Sequence, residues 1–223
     1  MTKHYDVTAL GEVLIDFTEN GSSAQGNPMY EANPGGAPCN VLAMLQKFGH
    51  KTAFLGKVGE DIFGRRLEIV LKEAGIDTAG LCMDPTVRTT LAFVEKKADG
   101  DRDFSFYRNP GADMMLRTEE LQEQILKDTR IFHFGTLSMT DKPVRSATRH
   151  AIETAKANGA LLSFDPNIRE PLWQSMEEAK RQTAYGMEVC NVLKISDNEI
   201  RWFTGEEDFD REWTCFGGNT TFL

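Results

Sequence analysis

Four short stretches carry residue types that could do chemistry. Gly35-Gly36-Ala37-Pro38-Cys39-Asn40 sets two glycines and a proline ahead of an apolar helix pattern. The glycines remove two Cβ atoms and allow close backbone approach and unusual φ values. Pro38 suits a first helical turn, and the Asn40 amide can both donate and accept. That combination fits a neutral, hydroxyl-rich ligand such as a sugar; a helix-entry turn with a capping Asn is the plainer reading. Asp16 ends the run Val13-Leu14-Ile15, and its carboxylate can accept from two hydroxyls at once, or it is a turn residue. Asp165-Pro166-Asn167-Ile168-Arg169 places turn formers before a guanidinium fork that suits phosphate, or forms a surface turn. Ser196-Asp197-Asn198-Glu199 matches a capping box; the chemical alternative has Glu199 holding magnesium through water.

Other candidates are weaker. Gly59–Gly64 has the glycine spacing of a Walker loop but lacks its Lys-Ser/Thr pair, so a turn and helix start explain it better. The opening glycine pair fails as a Walker loop for the same reason. His133 sits in an apolar strand with no evident partner and reads as a buried core histidine.

These residues need a scaffold. Tyr5–Leu10 with Val13–Ile15, Thr52–Val58, Ile131–Phe134, Ala160–Phe164 and Val192–Ile195 read as strands. Asn40–Phe48, Asp61–Ala74, Thr118–Lys127, Lys142–Ala157, Met176–Met187 and Asp197–Phe203 read as helices. The alternation predicts an α/β fold with a doubly wound, mainly parallel sheet. Thr89–Glu95 and Asp103–Arg108, joined around Asp99-Gly100, predict a β-hairpin. With residues 17–34 it forms a small β appendage. Ligands of such sheets sit beyond the C-terminal strand ends, where Asp16, Asp165 and Ser196 all fall.

The 223 residues suffice for one large domain. A formal net charge of −9 argues against a nucleic-acid or anionic-membrane binder. The four scattered cysteines form no CxxC pair, and the N-terminal apolar run breaks at Gly11-Glu12, so a reduced, cytoplasmic setting without a leader is expected.

In this order and spacing the stretches resemble the PfkB (ribokinase-like) family of carbohydrate kinases, most closely its fructokinase branch. The pieces are Gly11–Asp16, Gly35–Val41, Gly56–Gly64, Phe106–Asp113, Phe164–Arg169 and Lys194–Glu199. The resemblance spans about residues 5–208 and leaves 209–223 as an unmatched tail. It implies a ribokinase-like body with a β-sheet lid at about 17–34 and 87–112, hinged at Gly35-Gly36. It implies sugar contacts from Asp16, Gly35, Gly36 and Asn40, with Arg108 reaching in from the lid. Asn167, Arg169, Lys194 and Ser196 would serve the phosphate side, and Glu199 the magnesium. ATP and Mg2+ would be the cofactors, a monosaccharide the substrate, and a homodimer through the lid the further partner. A 2-keto-3-deoxygluconate or nucleoside kinase, or a non-catalytic sugar-binding protein, stays open. The family's C-terminal Gly-Ala-Gly-Asp stretch, with its anion hole and catalytic Asp, finds no match. A C-terminally incomplete and catalytically impaired chain is therefore the expectation.

Overall fold

Residues 3–96, 102–205 and 221–222 are described by a computed structural model. Strands β1 (Tyr5–Leu10), β4 (Thr52–Gly59), β5 (Asp77–Asp84), β8 (Thr129–Gly135), β9 (Leu161–Asp165), β10 (Val192–Leu193) and β11 (Thr221–Phe222) form a seven-stranded sheet. Its order is β11-β10-β9-β8-β1-β4-β5, and every pairing is parallel. Parallel strands need crossovers, and helices cover both faces. Helices α1 (Ala37–Lys47) and α2 (Ile62–Glu73) pack Leu42, Leu67 and Leu71 against Val7, Ala9 and Phe54. On the opposite face α4 (Lys142–Ala157) and α5 (Met176–Val189) cover Phe132, Phe134, Leu162 and Phe164. Such double burial is why these strands read as continuous apolar runs.

A second sheet has the order β3-β2-β6-β7, from β2 (Leu14–Ser22), β3 (Pro28–Gly35), β6 (Leu91–Lys96) and β7 (Arg102–Tyr107). This is the expected lid, with a correction at its start. Val13–Ile15 does not prolong the first body strand; the chain leaves the body at Gly11–Val13, and Leu14 and Ile15 already belong to the lid. Asp16 therefore stands on the lid sheet, not at the rim of the parallel sheet. The expected Asp99-Gly100 turn lies outside the described residues. So does the expected tail 209–223, apart from Thr221–Phe222 beside β10.

Two further expectations change. The 118–127 stretch is a 3-10 turn at Thr118–Glu120 followed by a short helix, α3 (Glu123–Lys127). Strand β5 has no counterpart in the sequence reading, because its mixed burial hides the apolar signal. Gly59–Gly64 is a turn and helix start, as read: Asp61 caps α2 by accepting from the Phe63 and Gly64 N–H groups at 3.0 and 2.8 Å. Among the described residues no helix is long and apolar enough to cross a membrane.

Candidate active site

Register decides what the lid presents. Asp16 pairs with Asn33 on β3 and with Ala92 on β6; Thr18 pairs with Val94, which lies opposite Phe104 on β7. Alternation puts all of these on one face, toward the body. The other face carries Phe17, Tyr30, Phe93 and Tyr107. Phe93 stacks on Phe17 at 5.0 Å between centroids and meets Tyr30 and Tyr107 edge-on at 5.4 Å each.

Between the inner face and the body lies a cavity of about 490 Å3. Its lid wall includes Asp16, Thr18, Asn33, Phe104 and Phe106; its body wall includes Glu12, Gly36, Asn40, Leu137, Asn167 and Arg169. Five predicted site residues thus meet: Asp16, Gly36, Asn40, Asn167 and Arg169. Gly35 serves the same space indirectly, since a Cβ there would collide with the Asp16 carboxylate. Gly36 has φ 119°, and a Cβ on it would strike the Glu12 carbonyl. Both glycines are thus required by close approach, and Gly36 by its backbone angle as well.

The loop after β9 closes the far side. Thr136 N–H donates to the Pro166 carbonyl at 3.2 Å. Asn167 adopts a left-handed φ of 44°, which Asn tolerates, and this turns the chain toward the cavity. Arg169 donates to the Ile168 carbonyl at 2.9 Å and lies over the Phe104 ring, 5.5 Å from its centroid. This cation–π contact joins body to lid across the cavity.

The remaining predicted residues lie elsewhere. Arg108 is buried: its Nε donates to Asp113 at 2.7 Å, Nη1 to Thr140 Oγ1 at 3.0 Å and Nη2 to the Leu137 carbonyl at 2.9 Å. It lines a neighbouring cavity of about 300 Å3, with Phe106 shared between the two, and braces Leu137 from behind. Lys194 pairs with Asp165 at 3.2 Å. Burial pushes the Asp165 carboxyl up, Lys194 opposes that, and the Glu199 charge adds to it. Ser196 and Glu199 form the capping box of α6 (Asp197–Thr204). Glu199 accepts from Ser196 N–H at 3.0 Å and Oγ at 2.7 Å on one oxygen, and from Ile168 N–H at 2.9 Å on the other. It therefore anchors the loop that carries Asn167 and Arg169. No group of three His, Cys, Asp or Glu able to hold a metal ion occurs among the described residues. His133 is a core residue, as read: it meets Ser163 Oγ at 3.0 Å, and burial lowers its pKa to about 4.

Three polar cavity residues, Thr18, Asn33 and Glu12, escaped the sequence reading. Asn33 carried a signal, because it stands two residues before Gly35 and shares its face. Glu12 carried a stronger one, an acid inside the apolar run Ala9–Ile15. It is 5% exposed and accepts from Ala37 N–H at 2.9 Å.

A lid, a partly polar cavity beneath it and a parallel α/β body also define a known group of proteins. The pfkB family carbohydrate kinase model matches residues 5–214. The chain belongs to the pfkB family of carbohydrate kinases. It is 44% identical over 208 residues to the probable fructokinase-2 of Arabidopsis thaliana, covering 92% of this chain and 63% of that one. The chain thus spans a little under two thirds of the length of such curated relatives. Among solved structures, the ATP-bound fructokinase of Xylella fastidiosa superposes with a TM-score of 0.82 at 35% identity, covering 90% of this chain and 60% of that one. A putative ribokinase II of E. coli in complex with ATP and Mg2+ gives a TM-score of 0.83 at 27% identity, covering 95% of this chain and 68% of that one.

Proposed function

We propose that this chain is the acceptor-binding part of an ATP-dependent sugar kinase whose substrate is fructose. The observation that carries the reading is the convergence of Asp16, Asn33 and Asn40 on one lid-covered cavity. Asp16 orients two hydroxyls by accepting from both, while the amides of Asn33 and Asn40 can serve either sense of hydrogen bond. Phe104 and Phe106 wall the space with apolar surface, and lid closure keeps water from the reacting hydroxyl. The fructokinase relatives point to fructose. ATP is the proposed donor because related structures hold it. Arg169 lines the cavity, and its proposed role is to meet the transferred phosphoryl, where a guanidinium fork stabilises spread negative charge. Magnesium has no cage among the described residues, and both Glu199 oxygens already accept protein hydrogen bonds. Its proposed role, as partner of the nucleotide phosphates, therefore rests on the family alone.

Calorimetry with fructose, 2-keto-3-deoxygluconate and adenosine tests the reading. Fructose should bind tightest, and Asp16→Asn should remove most of that affinity. Equal affinity for all three ligands, or none for fructose, would sink it. We also propose that two copies pair through the outer lid face, because Tyr30 and Tyr107 there are 46% and 65% exposed. Sedimentation at rising concentration should show a dimer that Tyr107→Lys dissociates; a strict monomer rejects the pairing.

A further inference from the structure

Glu12 has no part in the sugar contacts above, yet it is a buried acid on the cavity wall. It sits in the link between β1 and β2, one of the four segments that join the lid to the body. Another is Gly35-Gly36, leading from β3 into α1. The two cross in close contact: a Cβ on Gly36 would strike the Glu12 carbonyl, and one on Gly11 would meet Pro38. This contact forces a glycine at the N-cap of α1, and Gly36 has no side chain to cap the helix. Pro38 has no N–H, so Ala37 carries the first amide that needs a partner. Glu12 supplies it from the other strand at 2.9 Å.

We propose that Glu12 is the positioning residue of the sugar site, fixing through Ala37 the Gly35-Gly36 turn on which the convergence of Asp16, Asn33 and Asn40 depends. Gly35 abuts Asp16, Asn33 precedes it by two residues on β3, and Asn40 follows one turn into α1. A shift of the turn therefore moves all three polar groups. The proposal rests on the cavity being a sugar site, and its test separates the two claims.

The carboxyl also has a protonation state to read. Burial pushes its pKa up to about 7, against hydrogen bonds from its own N–H and that of Ala37. The Asp113 charge adds to the rise and Arg108 opposes it. Cys39 on α1, whose thiol burial pushes far up, stays neutral, and Asp16 is the other carboxylate on the cavity. The ionised form accepts more strongly from Ala37, so it holds the turn more firmly. Ionisation costs stability: the folded pKa lies above the unfolded value, so the fold binds the extra proton and loses stability as pH rises from about 4.5 to about 7.

Three proteins decide it: wild type, Glu12→Gln, which keeps an acceptor without a titrating charge, and Glu12→Met, which keeps length without an acceptor. Fructose affinity by calorimetry should fall at least tenfold in Glu12→Met and stay within threefold in Glu12→Gln at pH 6. Wild-type affinity should rise severalfold from pH 6 to 8, while that of Glu12→Gln stays flat. The melting temperature of Glu12→Gln relative to wild type should be higher at pH 8 than at pH 5. Wild-type affinity in Glu12→Met, or an unchanged pH profile in Glu12→Gln, overturns the proposal. If Glu12→Met does not fold, the Glu12→Gln profile decides alone. If wild type binds no fructose, the sugar reading fails, and hydrogen exchange at the Ala37 amide tests Glu12 by itself. Protection in wild type and Glu12→Gln that is lost in Glu12→Met upholds it; equal protection in all three overturns it.

Discussion

Asp16 and Asp165 are both aspartates close to the end of an apolar run, and both lie on the ligand side of the fold. Asp16 lines an open cavity of about 490 Å3, and the missing side chain of Gly35 beside it leaves room for its carboxylate. Asp165 lies 3.2 Å from Lys194, and beside it Ser196, Glu199 and Ile168 close their own hydrogen-bond circuit. The cavity leaves room for a hydroxyl-bearing guest, whereas the rim fills its space with protein. The difference teaches that residue type nominates a site, but the volume left around the polar atoms distinguishes binding from bracing. Arg108 makes the point again, with Asp113, Thr140 and Leu137 around its guanidinium.

The largest effect should come from breaking a brace. Arg108→Ala leaves Asp113 buried without its cation, a loss on the order of 3–5 kcal/mol. Denaturant unfolding would measure it. A stable Arg108→Ala protein that has lost only sugar affinity would move Arg108 from brace to ligand contact.

The cavity should answer in affinity instead. Asp16→Ala is expected to weaken fructose binding about 100-fold, equivalent to about 2.7 kcal/mol, with little change in melting temperature. Gly35→Ala puts a methyl where the Asp16 carboxylate lies and should cost about tenfold in affinity. Gly35 has no positive φ, so its loss should be one of geometry at Asp16 rather than of backbone strain. If Gly35→Ala lowered stability and left affinity intact, the cavity would be no different in kind from the rim.

Glu199 lies between the two regions, bonded to the rim and to the loop of the cavity. Glu199→Ala removes half of a capping box and the Ile168 tether, for about 1–2 kcal/mol of stability. Calorimetry should show a smaller affinity loss than for Asp16→Ala, because Asn167 and Arg169 lose only their anchor. A larger loss would make the tether part of the binding surface.

Much of this was legible in the sequence. The central strands were, because burial on both faces leaves unbroken apolar runs. Asp16, Gly35, Gly36, Asn40, Asn167 and Arg169 were nominated, but local pattern explained each equally well as a turn or helix entry, and only the family resemblance grouped them at one site. The start of the lid was not: Val13-Leu14-Ile15 is as apolar as a body strand, and only tertiary context shows the chain leaving the sheet. The brace at Arg108 was not, since a cation paired across the fold and a cation awaiting a ligand look alike in one dimension. Glu12 lay hidden because its partner, Ala37, is 25 residues away and contributes only a backbone N–H.

Lys194 gives the smallest effect and the sharpest test of what the rim is for. Its side chain is 56% exposed, so its pairing with Asp165 is screened by water. Lys194→Ala should change stability by less than about 1 kcal/mol and leave fructose affinity within about twofold. If the rim faces a nucleotide, the same variant should weaken ATP binding in calorimetry, because a lysine near phosphates acts as a point charge. Unchanged ATP affinity beside unchanged fructose affinity would confine Lys194 to bracing Asp165. A loss of fructose affinity alone would join rim and cavity into one sugar site and end the distinction between them.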